Sequence, residues 1–450
     1  MVNGEGLMVN GERLMVNVHR AQQAMGSIYL PPRGLVILAA YQNVPYTLDS
    51  AAVWDIFNKQ GYDYQPSSGS AATGSVADFF RAQSNGAYVP VFDVAGPVTL
   101  PKNRAPYGGS MANAPQMIID ACTKVDGKVD FSQYDFNNDG SIDFVYVLYA
   151  GVGVNDYNGP TEAVWAHQNT VGGSHKYDGK KLYNYVCSGE IDGVTLDRTA
   201  VGTICHEFGH LIGLPDYYDA DGSTNGNTAG LTPNQWSPMD VGCYNNDANS
   251  PPNYSLYDKE FMGWLTPKEL EKDAQETITL GTDFDEGYKI SCGDTVYYIE
   301  NRQISGWDVG LYGHGLLVWR VVYNASAWSN NRVNSDTKNI RFTVVPSDGG
   351  NQVGLITNNN QEVLHWAMDD VYPGNGNKTS LSFGEGYALT DIAEKDGKIT
   401  FKLNGGAIET GVEGQEPRAE SRKMLRNGQV VIIRDGKAYT IFGQSIYLTK

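Results

Sequence analysis

The stretch His206-Glu207-Phe208-Gly209-His210-Leu211-Ile212-Gly213-Leu214-Pro215-Asp216 decides how this chain is read. On an α-helix, His206 and His210 stand one turn apart on the same face. Two imidazole nitrogens at that spacing can bind one Zn²⁺, and Glu207 is placed to hold a water on the open metal position. Gly213 can take positive φ and end the helix, so the chain turns back and brings Asp216 to the same ion. Three protein ligands leave a fourth place for water, whose pKa zinc lowers to about 7. Glu207 then serves as general base. Glu260, on a second helix expected over 254–264, and Asp219 are the alternatives for the third ligand. The turn at Gly213 favours Asp216.

Working outward, residues 197–203 can cap and begin the zinc helix, expected over 198–212. Downstream, Trp236-Ser237-Pro238-Met239-Asp240 offers Met239 in a tight turn as a soft apolar floor beneath the metal. Tyr244 and His167 are candidates to line the cleft and hydrogen-bond an oxyanion. A second motif lies upstream. Asp135, Asn137, Asp139, Ser141 and Asp143, with Gly140 at the sharp turn, follow the spacing of a calcium loop. The twelfth place is Tyr146 and not Glu, so a full EF-hand is absent. The alternative is an Asx-rich turn leading into a strand at Phe144.

The chain has 450 residues, 41% hydrophobic and 11% aromatic, which supports packed structure and a prior of two domains. A net charge of −18 argues against nucleic acid or an anionic membrane as partner. The longest strongly apolar run, residues 35–40, is far short of the roughly 20 residues a membrane helix needs. Five cysteines, odd in number and widely spaced, fit neither a zinc knuckle nor a disulfide scaffold, and Cys205 is expected to point into the helix packing. No signal segment is visible at Met1. Residues 1–7 repeat almost unchanged as 8–14, and residues 1–33 read as an arm or leader remnant.

Buried strands are expected at 35–40, 144–149 and 163–167, with helices over 50–59, 75–83 and 112–125 between them. Beyond residue 269 the texture changes to strands at 277–280, 296–300, 315–323, 340–345 and 399–403, separated by Gly, Asn and Asp turns. This predicts an α+β chain with a catalytic lobe over 34–268 and a β-sandwich-like domain over 269–404. Residues 405–450 are expected to form a linker and a small β-rich tail with a hairpin turn at 434–437.

The zinc motif, with Tyr218-Asp219, Ser237-Pro238-Met239-Asp240 and Phe261-Met262-Gly263-Trp264, resembles the immune inhibitor A family of secreted bacterial zinc metallopeptidases, relatives of the metzincins. The likeness extends upstream to Ser75-Val76-Ala77-Asp78-Phe79-Phe80 and downstream to Gly313-His314-Gly315-Leu316-Leu317-Val318-Trp319. It implies a zincin-type lobe of mixed sheet and active-site helix, and a secreted or cell-surface endopeptidase acting on proteins or peptides. It also implies ligands His206, His210 and Asp216, with Glu207 as base. Two other readings stay open: a non-catalytic surface-binding or adhesion protein, and a zinc hydrolase acting on other bonds. Oligomeric state is not legible in the sequence.

Overall fold

The apolar run after Pro32 becomes strand β1 (Arg33–Ala40), and its alternate side chains enter two different cores. Val36 and Leu38 face one, while Leu35, Ile37 and Ala39 face the other. A strand buried on both faces needs no polar alternation, which explains the unbroken run. The computed structural model describes residues 8–9, 12–13, 29–221, 228, 230–272, 274–350, 353, 367–384 and 386–405, plus strands at 422–426, 429–434, 437–439 and 445–446. Most of the N-terminal repeat, the linker over 406–418 and the turn residues Asp435 and Gly436 lie outside the described residues.

After β1 come α1 (Ser50–Asn58), α2 (Val76–Gln83), β2 (Val91–Thr99), α3 (Ala114–Val125), β3 (Val145–Val152), β4 (His167–Thr170), β5 (Asn184–Ile191) and α4 (Val201–Leu211). The strands form one mixed sheet in the order β2-β1-β3-β5-β4. All neighbours are parallel except β4, which runs antiparallel along one edge. Helix α3 packs on one face, and α1, α2 and α4 pack on the other. The strand expected at 163–167 begins only at His167. Strands β2 and β5 were not expected at all.

Helix α4 carries the zinc motif, and Phe208 fixes it to the sheet. Its ring meets Phe80, Phe92 and Phe144 edge-on at 5.0, 5.4 and 5.3 Å between centroids. Phe208→Ala is expected to cost about 3–5 kcal/mol, the scale of a large buried aromatic, read as a lowered midpoint in chemical denaturation. The helix begins after Ala200, which offers no side-chain cap, so the capping expected from residues 197–203 is absent.

Helix α5 (Leu256–Phe261), shorter than expected, leads to β6 (Lys268–Glu269), β7 (Glu276–Leu280), β8 (Tyr288–Cys292), β9 (Thr295–Arg302), β10 (Gly315–Val321), β11 (Phe342–Val344), β12 (Leu381–Gly384), β13 (Tyr387–Lys395) and β14 (Lys398–Leu403). They build a five-stranded sheet, β6-β8-β9-β10-β11, facing a four-stranded one, β7-β14-β13-β12. Leu316 and Val318 of β10 point between these sheets with Leu389 and Phe401. Leu317, Trp319 and Val321 point the other way, into the core that also holds Phe208 and Met239. The architecture is α+β, as expected. The sandwich and the lobe share a core, so residues up to Gly405 form one compact unit and the architecture changes near residue 268 without a break. Residues from 406 form a second unit, whose described strands pair as an antiparallel meander. All five cysteines are free, and Cys205 lies within the core behind α4.

Candidate metal centre

Gly213, at φ 105°, ends α4 and turns the chain back. The carbonyl of Leu214 then accepts a 2.8 Å hydrogen bond from His210 Nδ1. His206 Nδ1 likewise lies 2.8 Å from the carbonyl of Pro238. With both Nδ1 protons committed to carbonyls, each Nε2 presents a lone pair. These two nitrogens lie 3.2 Å apart, and each lies 3.2 Å from Asp216 Oδ1. Asp216 Oδ1 is buried and receives no hydrogen bond. Three lone pairs thus converge with no proton among them, which is unfavourable unless a cation stands between them. Tetrahedral ligands at zinc distances of about 2.0–2.1 Å would stand about 3.3 Å apart, so the observed triangle fits that ion. Among the described residues these three form the one His/Cys/Asp/Glu group close enough to hold a metal.

Asp216 is held from a distance. Asn331 donates Nδ2 to Asp216 Oδ2 at 2.6 Å and accepts the Asp216 backbone N–H at 2.7 Å. Burial opposes charge on Asp216, and positive charge at His210 and His206 outweighs it and holds the carboxyl well below the usual range; a cation among the three would supply that charge with both rings neutral. Asn331→Ala is expected to weaken zinc affinity by about 10- to 100-fold, the usual cost of losing such support, measured by competition with a zinc-responsive dye.

Met239 lies beneath the helix. A Cβ at Gly209 would stand 2.6 Å from Met239 Sδ, so glycine there is what lets the turn approach between the two histidines. The Met239 carbonyl also accepts the N–H of Tyr217, tying this turn to the segment bearing Asp216. The Tyr218 ring stacks on that of His206 with centroids 6.4 Å apart. Glu207 is buried beside His206. Burial pushes its carboxyl above the ordinary glutamate range, the two imidazoles pull it back, and the backbone N–H of Gln168 on β4 also favours the charged form.

Other expected residues are elsewhere. Glu260 accepts hydrogen bonds from Lys289 Nζ at 2.7 Å and Tyr298 at 2.6 Å, outside the metal group. Asp219 is also outside that group. His167 is a correction: Nδ1 lies 2.6 Å from the Trp165 carbonyl and Nε2 lies 2.7 Å from the Tyr185 hydroxyl. Both nitrogens are consumed within the sheet, so the ring offers nothing to a cleft. Tyr244 is about half exposed at the end of a short turn after Met239.

The structure gives the calcium loop no support. Asp135 Oδ2 pairs with Lys180 Nζ at 2.6 Å and accepts the Gly140 N–H, and its Oδ1 accepts the Asp139 N–H. Asn137 Oδ1 accepts the Asp139 N–H and Asp139 Oδ1 accepts the Ser141 N–H, while Asp143 Oδ2 accepts the Tyr29 hydroxyl at 2.6 Å. Lys180 and backbone donors thus serve most of these oxygens, the pattern of an Asx-rich turn; Asp143 Oδ1 is buried without a donor, and among the described residues the loop gathers no metal group. Burial raises the Asp143 carboxyl to about 6.

Asn331, Tyr218 and the carbonyls of Pro238 and Leu214 were not singled out as site groups. Tyr218 lies within the motif and could have been. Asn331 is 115 residues from Asp216 and carries no local signal.

Comparison with known proteins points the same way. Residues 54–265 match the family described as "Immune inhibitor A peptidase M6, catalytic domain". The match includes α4 and the metal group and stops before the β-sandwich. Immune inhibitor A of Bacillus thuringiensis subsp. alesti is 30% identical over 223 residues, covering 41% of this chain and 31% of that protein. Pre-pro-metalloprotease PrtV of Vibrio cholerae serotype O1 (strain M66-2) is 26% identical over 221 residues, covering 42% of this chain and 23% of that protein. The aligned part thus spans less than a third of either relative. Residues 54–265, a little under half of the chain, are thus similar to the catalytic domain of the immune inhibitor A peptidases.

Proposed function

We propose that this chain is a zinc-dependent endopeptidase, with His206, His210 and Asp216 as ligands and Glu207 as general base. The observation that carries the reading is the convergence of two imidazole lone pairs and a donor-free carboxylate oxygen. Zinc bound there supplies a Lewis acid that acidifies water and polarises a carbonyl. The chain's residues do the rest. Glu207 takes the proton of the attacking water and passes it to the leaving amine. Its burial beside the ligands suits a group that must both accept and release a proton. The helix that bears Glu207 packs beside β4, the antiparallel edge of the sheet. An extended peptide laid along that edge would pass the base, which favours a peptide over other hydrolysable substrates.

A purely adhesive role gives no purpose to a buried carboxylate beside a metal group. Action outside the cell fits the resemblance, and no helix among the described residues is long and apolar enough to cross a membrane. Calcium forms no part of the proposal. The test is casein digestion by the full chain before chelation, after it, and after zinc is restored. Activity is expected to vanish and return; hydrolysis indifferent to chelation would refute the metal's role, and zinc-loaded protein that never cuts would refute the activity.

A further inference from the structure

Away from the metal group, a cavity of about 260 Å³ opens between α5, the end of β9 and the loop over 281–286. That volume exceeds a single water, whose share of liquid is about 30 Å³, and suits one small molecule. Most charged groups on its wall are committed. Arg302 donates to Asp308 Oδ2 at 2.8 Å and to Glu300 Oε1 at 3.1 Å, and Trp319 Nε1 donates to the same Glu300 oxygen at 2.7 Å. Asp308 also accepts the backbone and side-chain N–H groups of Asn253.

Two groups are not committed. Lys259, on α5, is only 9% exposed, and among the described residues its Nζ has no hydrogen-bond or ion-pair acceptor. Its Nζ stands over the Phe284 ring, 5.2 Å from the centroid. Burial lowers its pKa and nearby Glu300 opposes that shift. Glu286 faces the same cavity from the loop; its carboxylate receives no hydrogen bond, and Oε2 is buried against Gly281. A buried ammonium and a carboxylate that share one wall without pairing are both costly as they stand.

We propose that this cavity binds a small zwitterion, a free α-amino acid or a dipeptide, with its carboxylate on Lys259 and its ammonium on Glu286. Charge selects this class. The wall carries Lys259 and Arg302 against Asp283, Glu286, Glu300 and Asp308, so it is net acidic, and a simple anion such as phosphate would be repelled. A zwitterion adds no net charge while giving each uncommitted group its partner. Phe284, Trp307 and Leu256 supply apolar wall for a side chain. None of this depends on the chain's being a peptidase, since the cavity shares no residue with the metal group.

The test is titration calorimetry on the full zinc-loaded chain with glycine, L-leucine and L-alanyl-L-alanine. N-acetylglycine and glycinamide, each lacking one charge, serve as controls. At least one zwitterion is expected to bind saturably at about millimolar concentration or below. Each control should bind about 10-fold more weakly or worse. Comparing leucine with the dipeptide tells which zwitterion is taken. Lys259→Met and Glu286→Gln should each abolish the heat. Glu286 is only half-buried, so its variant keeps the test open if the lysine variant misfolds. No saturable heat from any zwitterion overturns the proposal. Binding that survives both substitutions also overturns it, because the titrant is then held elsewhere, the metal included.

Discussion

Glu207→Ala is expected to keep its zinc and to lose peptide hydrolysis by at least about two orders of magnitude, the scale of a general base. The two effects separate because Glu207 is one residue beyond His206 and contributes no atom to the converging group. Its neighbours His206 and His210 keep their Nδ1 hydrogen bonds to Pro238 and Leu214, so the ligand geometry does not depend on it. Zinc content by elemental analysis and kcat/KM on a quenched peptide read the two quantities independently. Full turnover in zinc-replete variant protein would remove Glu207 from the chemistry.

The second large effect concerns the third ligand. Asp216→Ala is expected to weaken zinc binding by more than the roughly 10- to 100-fold that loss of a supporting residue costs. Two histidines alone leave the ion half coordinated, and Asn331 loses the carboxylate it was aimed at. Glu260→Ala should leave zinc affinity unchanged. Its carboxylate serves Lys289 and Tyr298, so the loss there is one of local stability. Zinc lost from the Glu260 variant and kept by the Asp216 variant would exchange their roles.

What could be read from the sequence follows from how local each feature is. The metal group comes from eleven consecutive residues whose spacing is set by one helix turn and one glycine, so it was legible. Strand β1 was legible because burial on both faces leaves an unbroken apolar run. Strand β2 was not, because Gly96-Pro97 inside it reads as a turn. Strand β5 hides for another reason: Ser188 and Glu190 are buried polar residues within it. Glu190 is satisfied by backbone N–H groups of Thr47 and Leu48, about 140 residues away in sequence, which no periodicity can report.

The failures share that cause. The calcium spacing is real, but Lys180 arrives from a separate hairpin and takes Asp135. His167 looked free because nothing nearby shows that Tyr185, on the neighbouring strand, would claim its Nε2. The second domain expected from residue 269 onward is a sandwich in architecture. It still shares a core with the lobe, since β10 turns Leu317 and Trp319 inward on one face and Leu316 and Val318 on the other. Periodicity shows that both faces are buried, not what buries them.

The central claim is that one zinc sits among His206 Nε2, His210 Nε2 and the donor-free oxygen of Asp216. Anomalous diffraction on either side of the zinc edge, from crystals of the zinc-loaded chain, tests it most directly. A single strong peak is expected about 2.0–2.2 Å from each of those three atoms. A peak at the 135–143 loop or at Glu260, or zinc-loaded crystals with no peak at this triangle, would contradict it.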